Sequence, residues 1–77
     1  MNKVKKKIKS IVSDILGCKR VSFRKDIRSI GLESLSFTEL IIKTEDEFGI
    51  ELLSDEITRF HNLKMYAAYV ESKVNDD

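Results

Sequence analysis

A serine at the start of an amphipathic stretch is the residue in this sequence best suited to chemistry. Within residues 31–40, Gly31 is followed by Ser34 at the point where helical spacing of apolar residues begins. A serine in that place faces water, and the free backbone amides behind it favour a phosphate. The place is also ordinary for a helix cap, and Ser36 with Glu39 has the spacing of a capping box. On these residues alone, a structural cap is the favoured interpretation.

Other reactive side chains are few. A catalytic pair of Ser34 and His61 needs a third orienting group and an oxyanion site, and neither is visible in the sequence. One cysteine and one histidine leave no ordinary zinc site, so no metal site and no catalytic residue are predicted. A single cysteine also excludes an internal disulfide and fits a reducing compartment, which predicts a cytoplasmic location.

Apolar residues recur at helical spacing in several segments, and these segments must position the serine. The spacing predicts helices over residues 3–16, 34–48 and 63–74, with a short helix over 55–60. Residues 18–32 show no sustained period, so a long ordered loop with one helical turn is expected there. No strand pattern competes. The predicted fold is all-α, a four-helix bundle with a short third helix and a long loop between helices 1 and 2.

Residues with known capping preferences stand at the ends of the predicted helices. Gly17 and Gly49 follow the first two helices, where glycine commonly ends a helix. Ser54 and Asn62 precede the third and fourth helices, where their side chains are suited to accept hydrogen bonds from first-turn amides. These four residues support the predicted helix boundaries.

Length and composition limit the architecture. The chain has 77 residues, of which 42% are hydrophobic, and this predicts a single domain over residues 1–77 with one small core. Such a core leaves little room for a deep active-site cavity. Because no run of about eighteen apolar residues occurs, no membrane insertion is expected.

Charge is divided unevenly along the chain, although the formal net charge is only +1. Residues 1–28 contain ten Lys or Arg and two Asp, a charge of +8, whereas residues 29–77 carry a charge of −7. Five of the basic residues are lysines of the first helix: Lys3, Lys5, Lys6, Lys7 and Lys9. Cations at this end of a helix oppose the macrodipole, so helix stability does not explain them. They form either a solvated face or a docking surface for an anionic partner.

The stretch G-L-E-S-L at 31–35 and the residues that follow it resemble the acyl carrier protein family. That family is marked by a Gly-x-Asp-Ser-Leu turn that opens its second helix. An acidic cluster follows, and the helix ends in an aromatic residue before an I-E-I type loop. Here the turn is followed by E-L at 39–40, E-D-E-F-G at 45–49 and I-E-L at 50–52. The helices predicted on either side also match the family in spacing, so the resemblance spans nearly the whole chain.

The resemblance implies a carrier that is not an enzyme. Ser34 would be the attachment point for 4′-phosphopantetheine, which a phosphopantetheinyl transferase transfers from coenzyme A. The terminal thiol would hold an acyl chain as cargo and pass it between acyl-loading and acyl-processing enzymes of a fatty-acid, polyketide or related pathway. Residues near and along the second helix would recognise these partners: Glu33, Leu35, Glu39, Glu45 and Asp46. The resemblance further implies a monomer, and no nucleic-acid partner is expected.

Two features depart from the family pattern. Glu33 stands where the family usually has aspartate, so the charge is kept but displaced by one methylene. Family members are also typically acidic overall, and the lysines of the first helix remove that character here. We therefore expect the partner specificity of this chain to lie in its basic first third.

Three other interpretations remain open. A peptidyl or aminoacyl carrier of a nonribosomal pathway would share the fold, although L-E at 32–33 is more typical of acyl carriers than of the Gly-Gly-x-Ser pattern of peptidyl carriers. A helical adaptor would bind anionic lipid or nucleic acid through its basic first helix. A small hydrolase would use Ser34 with His61, and it is the least favoured of the three.

Overall fold

A computed structural model of the chain describes residues 3–53 and 59–75. These residues form three α-helices and one 3-10 turn: α1 (Lys3–Leu16), the turn (Arg28–Ile30), α2 (Ser34–Phe48) and α3 (Leu63–Asn75). All elements named in the described ranges are helices, which confirms the all-α class. The predicted short third helix falls mainly on residues 54–58, which lie outside the described residues, so the four-helix detail stays a prediction. No described helix is long and apolar enough to cross a membrane.

The capping residues at three helix ends confirm the predicted boundaries. Gly17 and Gly49 follow α1 and α2 directly, and each amide donates a 2.8 Å hydrogen bond to the carbonyl four residues earlier. Before α3, the Asn62 side-chain oxygen accepts a 2.9 Å hydrogen bond from the Met65 amide, as expected of an N-cap. The fourth predicted cap, Ser54, lies outside the described residues.

The predicted capping box of Ser36 and Glu39 is wrong. Helix α2 already begins at Ser34, and its N-cap residue is Glu33, so Ser36 lies inside the first turn. Glu33 has extended backbone angles, φ −95° and ψ −178°, and its side chain makes no capping hydrogen bond to the described residues. The first turn of α2 is therefore without the side-chain cap that the sequence pattern indicates.

Backbone pairing orders the long loop between α1 and α2. The Ile27 amide donates to the His61 carbonyl at 2.8 Å, and the Lys64 amide donates to the Phe23 carbonyl at 3.0 Å. Together with the buried Ile27 side chain, these bonds attach the loop to the segment that leads into α3. The prediction of an ordered loop with one helical turn is confirmed.

The three helices and the loop share one apolar core, whose buried hydrophobic residues are Val4, Ile8, Val12, Ile27, Leu32, Leu40, Leu52, Leu63, Tyr66, Ala67 and Val70. One polar pair lies within it. The Tyr66 hydroxyl donates to Thr44 Oγ1 at 2.9 Å, and Thr44 Oγ1 donates to the Leu40 carbonyl at 2.6 Å. The buried hydroxyls are thereby satisfied. Burial raises the pKa of Tyr66 to about 12.

Candidate functional site

A firmly anchored turn presents Ser34 at the start of α2. Two residues earlier, the Leu32 side chain is only 2% exposed, and its amide donates a 3.2 Å hydrogen bond to the Ile27 carbonyl. Gly31 has φ 99°, a left-handed conformation that residues with a side chain rarely adopt. A Cβ there would meet Leu16 Cδ2 at 3.5 Å, an ordinary contact, so the backbone angle and not the space requires glycine.

Asp26 organises the approach to this turn. Its carboxylate Oδ1 accepts a 2.8 Å hydrogen bond from the Arg28 amide. Its carbonyl accepts hydrogen bonds from the Ser29 amide at 3.0 Å and from the Ser29 hydroxyl at 2.7 Å. A carboxylate that bonds the amide two residues on is a common way to stabilise a turn. These contacts place the 3-10 turn immediately before the residues that present Ser34.

Ser34 is the first residue of α2, and it is exposed. Its hydroxyl has no hydrogen-bond partner among the described residues, and its carbonyl accepts a 2.8 Å hydrogen bond from the Thr38 hydroxyl. The amides of the first helical turn lack intrahelical acceptors, so this end of α2 carries partial positive charge. Ser34 therefore offers an accessible hydroxyl at a position where a negatively charged phosphate is stabilised.

An open groove of about 700 Å³ lies beside Ser34, which is one of its lining residues. Apolar side chains of the loop and of α2 contribute Leu32 and Phe37, and Phe60 contributes from the segment before α3. Arg28 adds a cation to the same groove. Both phenylalanine rings pack against the buried ring of Tyr66, with centroid distances of 5.9 and 6.4 Å, and these contacts restrain the aromatic wall.

His61 also lines this groove. It is exposed, and within residues 3–53 and 59–75 no hydrogen bond joins its ring to the Ser34 hydroxyl or to a carboxylate. A nucleophilic serine needs a histidine base that a third group orients. The described residues do not form this arrangement, so the hydrolase interpretation has no geometric support.

Four residues of α2 form one exposed surface, which we call the α2 face: Leu35, Glu39, Ile42 and Asp46. Their spacing of four, three and four residues places them on the same side of the helix. Leu35 is 86% exposed and Ile42 is 59% exposed, so two large apolar side chains stand in water beside the carboxylates of Glu39 and Asp46. The structure brings together three of the predicted recognition residues and adds Ile42, which the sequence reasoning missed. An apolar residue in register with charged residues is the signal that indicates it.

The other two predicted recognition residues lie elsewhere. Glu33 is exposed beside Ser34 and lines the groove. Glu45 is half-buried, and its carboxylate Oε2 accepts a 2.9 Å hydrogen bond from the Leu52 amide. Glu45 thus fastens the segment after α2 to the helix, and its carboxylate is already engaged inside the protein.

Comparisons with known proteins agree with this geometry. A family model described as the phosphopantetheine attachment site matches residues 6–70. The acyl carrier protein of Nitratidesulfovibrio vulgaris (strain DP4) is 33% identical over 73 residues, which cover 91% of this chain and 96% of that protein. The acyl carrier proteins of Solidesulfovibrio magneticus and of Buchnera aphidicola subsp. Schizaphis graminum are 30% and 34% identical. They cover 91% and 95% of this chain, and 94% and 96% of their own lengths.

The match implies a covalently attached 4′-phosphopantetheine group, and the described residues fit it. Ser34 supplies an exposed hydroxyl, the groove beside it has room for an extended arm, and Arg28 supplies a cation for a phosphate. Acyl carrier proteins are carriers and not catalysts. Because the family model covers residues 6–70 and the relatives align over nearly the whole chain, this chain belongs to the acyl carrier protein family.

Proposed function

We propose that Ser34 carries the 4′-phosphopantetheine group. We further propose that the chain, as a single carrier domain over residues 1–77, shuttles acyl intermediates between cytoplasmic enzymes of a fatty-acid, polyketide or related pathway. The exposed hydroxyl of Ser34 at the start of α2, which bonds to none of the described residues, is the observation that carries this proposal. When attached, the group supplies a thiol that holds an acyl chain as a thioester. A tethered thiol gives the cargo a high effective concentration at whichever enzyme binds the carrier.

Loading of Ser34 requires a separate phosphopantetheinyl transferase. The Ser34 oxygen forms a bond to the phosphate of the phosphopantetheine moiety of coenzyme A, and adenosine 3′,5′-bisphosphate leaves. The transferase must accept the serine proton, because no described side chain of this protein is hydrogen-bonded to that hydroxyl. The phosphodiester that results carries one negative charge. The amide end of α2 and the Arg28 guanidinium of the groove both favour that charge.

Partner recognition is assigned to the α2 face together with Glu33. The carboxylates of Glu39 and Asp46 attract basic surfaces of the transferase and of the acyl-processing enzymes. Leu35 and Ile42 lose their contact with water when a partner covers them, which favours binding. We expect Glu45 to contribute chiefly by holding the segment after α2 in place, since its carboxylate bonds the Leu52 amide.

The groove beside Ser34 is proposed to shelter a short acyl chain. Its apolar walls, Leu32, Phe37 and Phe60, offer contact to a few methylenes. Below them, the interior is occupied by Tyr66, which is fully buried and hydrogen-bonded to Thr44. A long chain would have to displace this pair, so a short cargo fits the groove best.

Intact-protein mass spectrometry tests the attachment site. The purified chain is incubated with coenzyme A and a broad-specificity phosphopantetheinyl transferase, and a gain of one phosphopantetheine is expected. Ser34→Ala should abolish the gain. Ser36→Ala, two residues further along the same helical turn, is the matched control and should load normally. Loading of Ser34→Ala, or no loading of the unchanged chain by several transferases, would contradict the proposal.

A further inference from the structure

We propose that a second surface of this protein, on the side of α1, binds an acidic segment of a partner protein that also inserts one apolar side chain. We call this surface the basic groove and define it as Lys5, Lys6 and Lys9 of α1 together with residues 21–24 of the loop. It encloses about 680 Å³. It shares none of its lining residues with the groove beside Ser34.

The floor of the basic groove is apolar and its rim is cationic. Val21 and Phe23 are half-buried, so part of each side chain faces the groove. Lys5 Nζ lies 5.3 Å from the centre of the Phe23 ring, a cation–π contact that keeps this ammonium group over the floor. The rim therefore places positive charge around a patch where an apolar side chain has partners to contact.

The positive charge of the rim is not neutralised within the described residues. No carboxylate there pairs with Lys5, Lys6, Lys9 or Arg24. The neighbouring Lys7 behaves differently, because its Nζ lies 3.2 Å from Glu47 Oε1 of α2. Four cations that pair with no carboxylate of residues 3–53 and 59–75 surround one concavity, and their local positive field attracts carboxylates and speeds their association.

An acidic protein segment fits this surface better than a bilayer does. Helices that bind membranes insert exposed apolar side chains between lipids. The large exposed apolar residues described here lie elsewhere: Leu35, Ile42, Leu53 and Met65. The apolar side of α1 is itself part of the core, through Val4, Ile8 and Val12. A flat bilayer surface would contact the lysines but would leave the concave apolar floor empty.

Nucleic acid is also a poorer match. Single-stranded nucleic acids gain much of their affinity by stacking bases on open aromatic faces. Phe23 is the single aromatic residue among the lining residues of the basic groove, so successive bases would have no series of rings to stack on. A segment with several carboxylates and one apolar side chain satisfies both the cationic rim and the floor, as at the centres of protein interfaces.

The test uses the full chain and a labelled probe peptide in which glutamates surround one central phenylalanine. Binding is followed by ¹H–¹⁵N spectra, and saturable shifts are expected at residues 5–9 and 21–24. The triple variant Lys5→Gln, Lys6→Gln, Lys9→Gln should bind at least about tenfold more weakly, because three exposed ion pairs are lost. The matched control Lys43→Gln, Lys64→Gln, Lys73→Gln removes the same charge and also one cation–π contact, that of Lys73 with Tyr69. It should bind like the unchanged chain.

Further probes separate the possible occupants. Replacing the central phenylalanine of the peptide by serine should weaken binding. That result would support contact between the phenylalanine side chain and the apolar floor of the basic groove. Ser34→Ala should leave peptide binding unchanged, so failure of the carrier proposal is distinguishable from failure of this one. The proposal would be overturned by an absence of saturable shifts at residues 21–24 or by equal weakening in both triple variants. Stronger lysine-dependent binding to phosphatidylglycerol vesicles, to a DNA oligonucleotide or to a second copy of the chain would also overturn it.

Discussion

The α2 face and the basic groove use the same kinds of side chain in opposite ways. On the α2 face the apolar residues are exposed and the charges are negative, with Leu35 86% exposed. In the basic groove the apolar residues are half-buried beneath cations, and Lys5 lies over Phe23. A net charge of +1 therefore conceals two surfaces of opposite charge. One of them suits basic partners and the other suits acidic ones.

Helix α1, which carries the lysines of the basic groove, packs against α2, which carries the α2 face. At this boundary Lys7 and Glu47 form an ion pair at 3.2 Å, so one cation of the lysine cluster is neutralised by one carboxylate of the acidic cluster. Below the boundary, Ile8 and Leu40 are fully buried in the shared core. The surfaces are therefore separate in their charges but depend on one folded core.

Removing part of the shared core should have the largest effect on the free energy of unfolding. Both surfaces depend on that core, so both should be affected. Ile8→Ala is expected to lower the free energy of unfolding by about 2–5 kcal/mol, because it leaves a cavity beneath α1. Urea denaturation followed by circular dichroism measures this loss. Lys6→Ala, at an exposed position of the same helix, should change stability by less than about 0.5 kcal/mol. Equal losses in the two variants would contradict the assignment of Ile8 to the core.

Breaking the buried hydroxyl pair should have the next largest effect. Thr44→Val keeps the shape of the side chain but leaves the Tyr66 hydroxyl without its acceptor, which should cost about 1–3 kcal/mol. Thr38→Val is the matched control, because its hydroxyl also bonds a carbonyl four residues earlier but is exposed. Equal losses of stability in Thr38→Val and Thr44→Val would show that burial of the hydroxyl pair does not increase its contribution.

The burial of Tyr66 makes stability depend on pH in the alkaline range. Burial raises the pKa of Tyr66 from 10.0 to about 12, so folding favours the protonated phenol. This contribution is fully present below pH 10 and is lost as the pH rises towards 12. Urea denaturation across this range should show a smaller alkaline loss for Tyr66→Phe than for the unchanged chain. Tyr69→Phe should keep most of the loss, because burial is the largest cause of the raised pKa of Tyr66, and an unchanged slope in Tyr66→Phe would refute the linkage.

Reversing a charge on one surface sharpens the comparison, because only that surface should respond. Glu39→Lys is expected to lower the kcat/KM of the transferase for loading of Ser34 by about fivefold, since a basic partner then meets a like charge. Binding of the acidic probe peptide to the basic groove should not weaken. Glu51→Lys, exposed but outside the α2 face, is the control for net charge. If Glu51→Lys slows loading as much as Glu39→Lys, the α2 face is not the recognition surface.

The smallest effect is expected at the boundary itself. Lys7→Gln removes the ion pair with Glu47, whose side chains are 57% and 43% exposed, and should cost less than about 1 kcal/mol. Raising the salt concentration should reduce the difference further. Lys3→Gln, exposed on the same helix, is the control. A loss above that of Ile8→Ala would mean that charge and not packing joins the two helices.

Much of the fold was predictable because it depends on local patterns. Apolar spacing predicts α1 and α2 with the bounds that the structure shows, and Asn62 caps α3 as expected. The predicted capping box was wrong because the sequence pattern of a helix start fits more than one polar residue in this segment. Apolar spacing places the helix start at Ser34, and the buried Leu32 and the left-handed Gly31 before it agree with that start.

The functional site was predictable in part. Ser34 and the acidic residues of α2 follow from the resemblance to acyl carrier proteins, but the bond from the Leu52 amide to Glu45 does not, because it joins residues seven apart through a side chain. The basic groove was also not predictable from the sequence alone. It exists because the loop carbonyl of Phe23 accepts a hydrogen bond from the Lys64 amide, which attaches residues 21–24 to the body of the protein.

The sequence by itself determined the helices, the division of charge and the serine that the family pattern marks, since each depends on residue type and short spacing. The pairing of Lys7 with Glu47 and the position of Lys5 over Phe23 follow from the tertiary structure. It also decided that Ile42 joins Leu35 in water while Tyr66 fills the interior. The physical reason is that burial and pairing depend on contacts between segments that are distant in the chain, which no local pattern specifies.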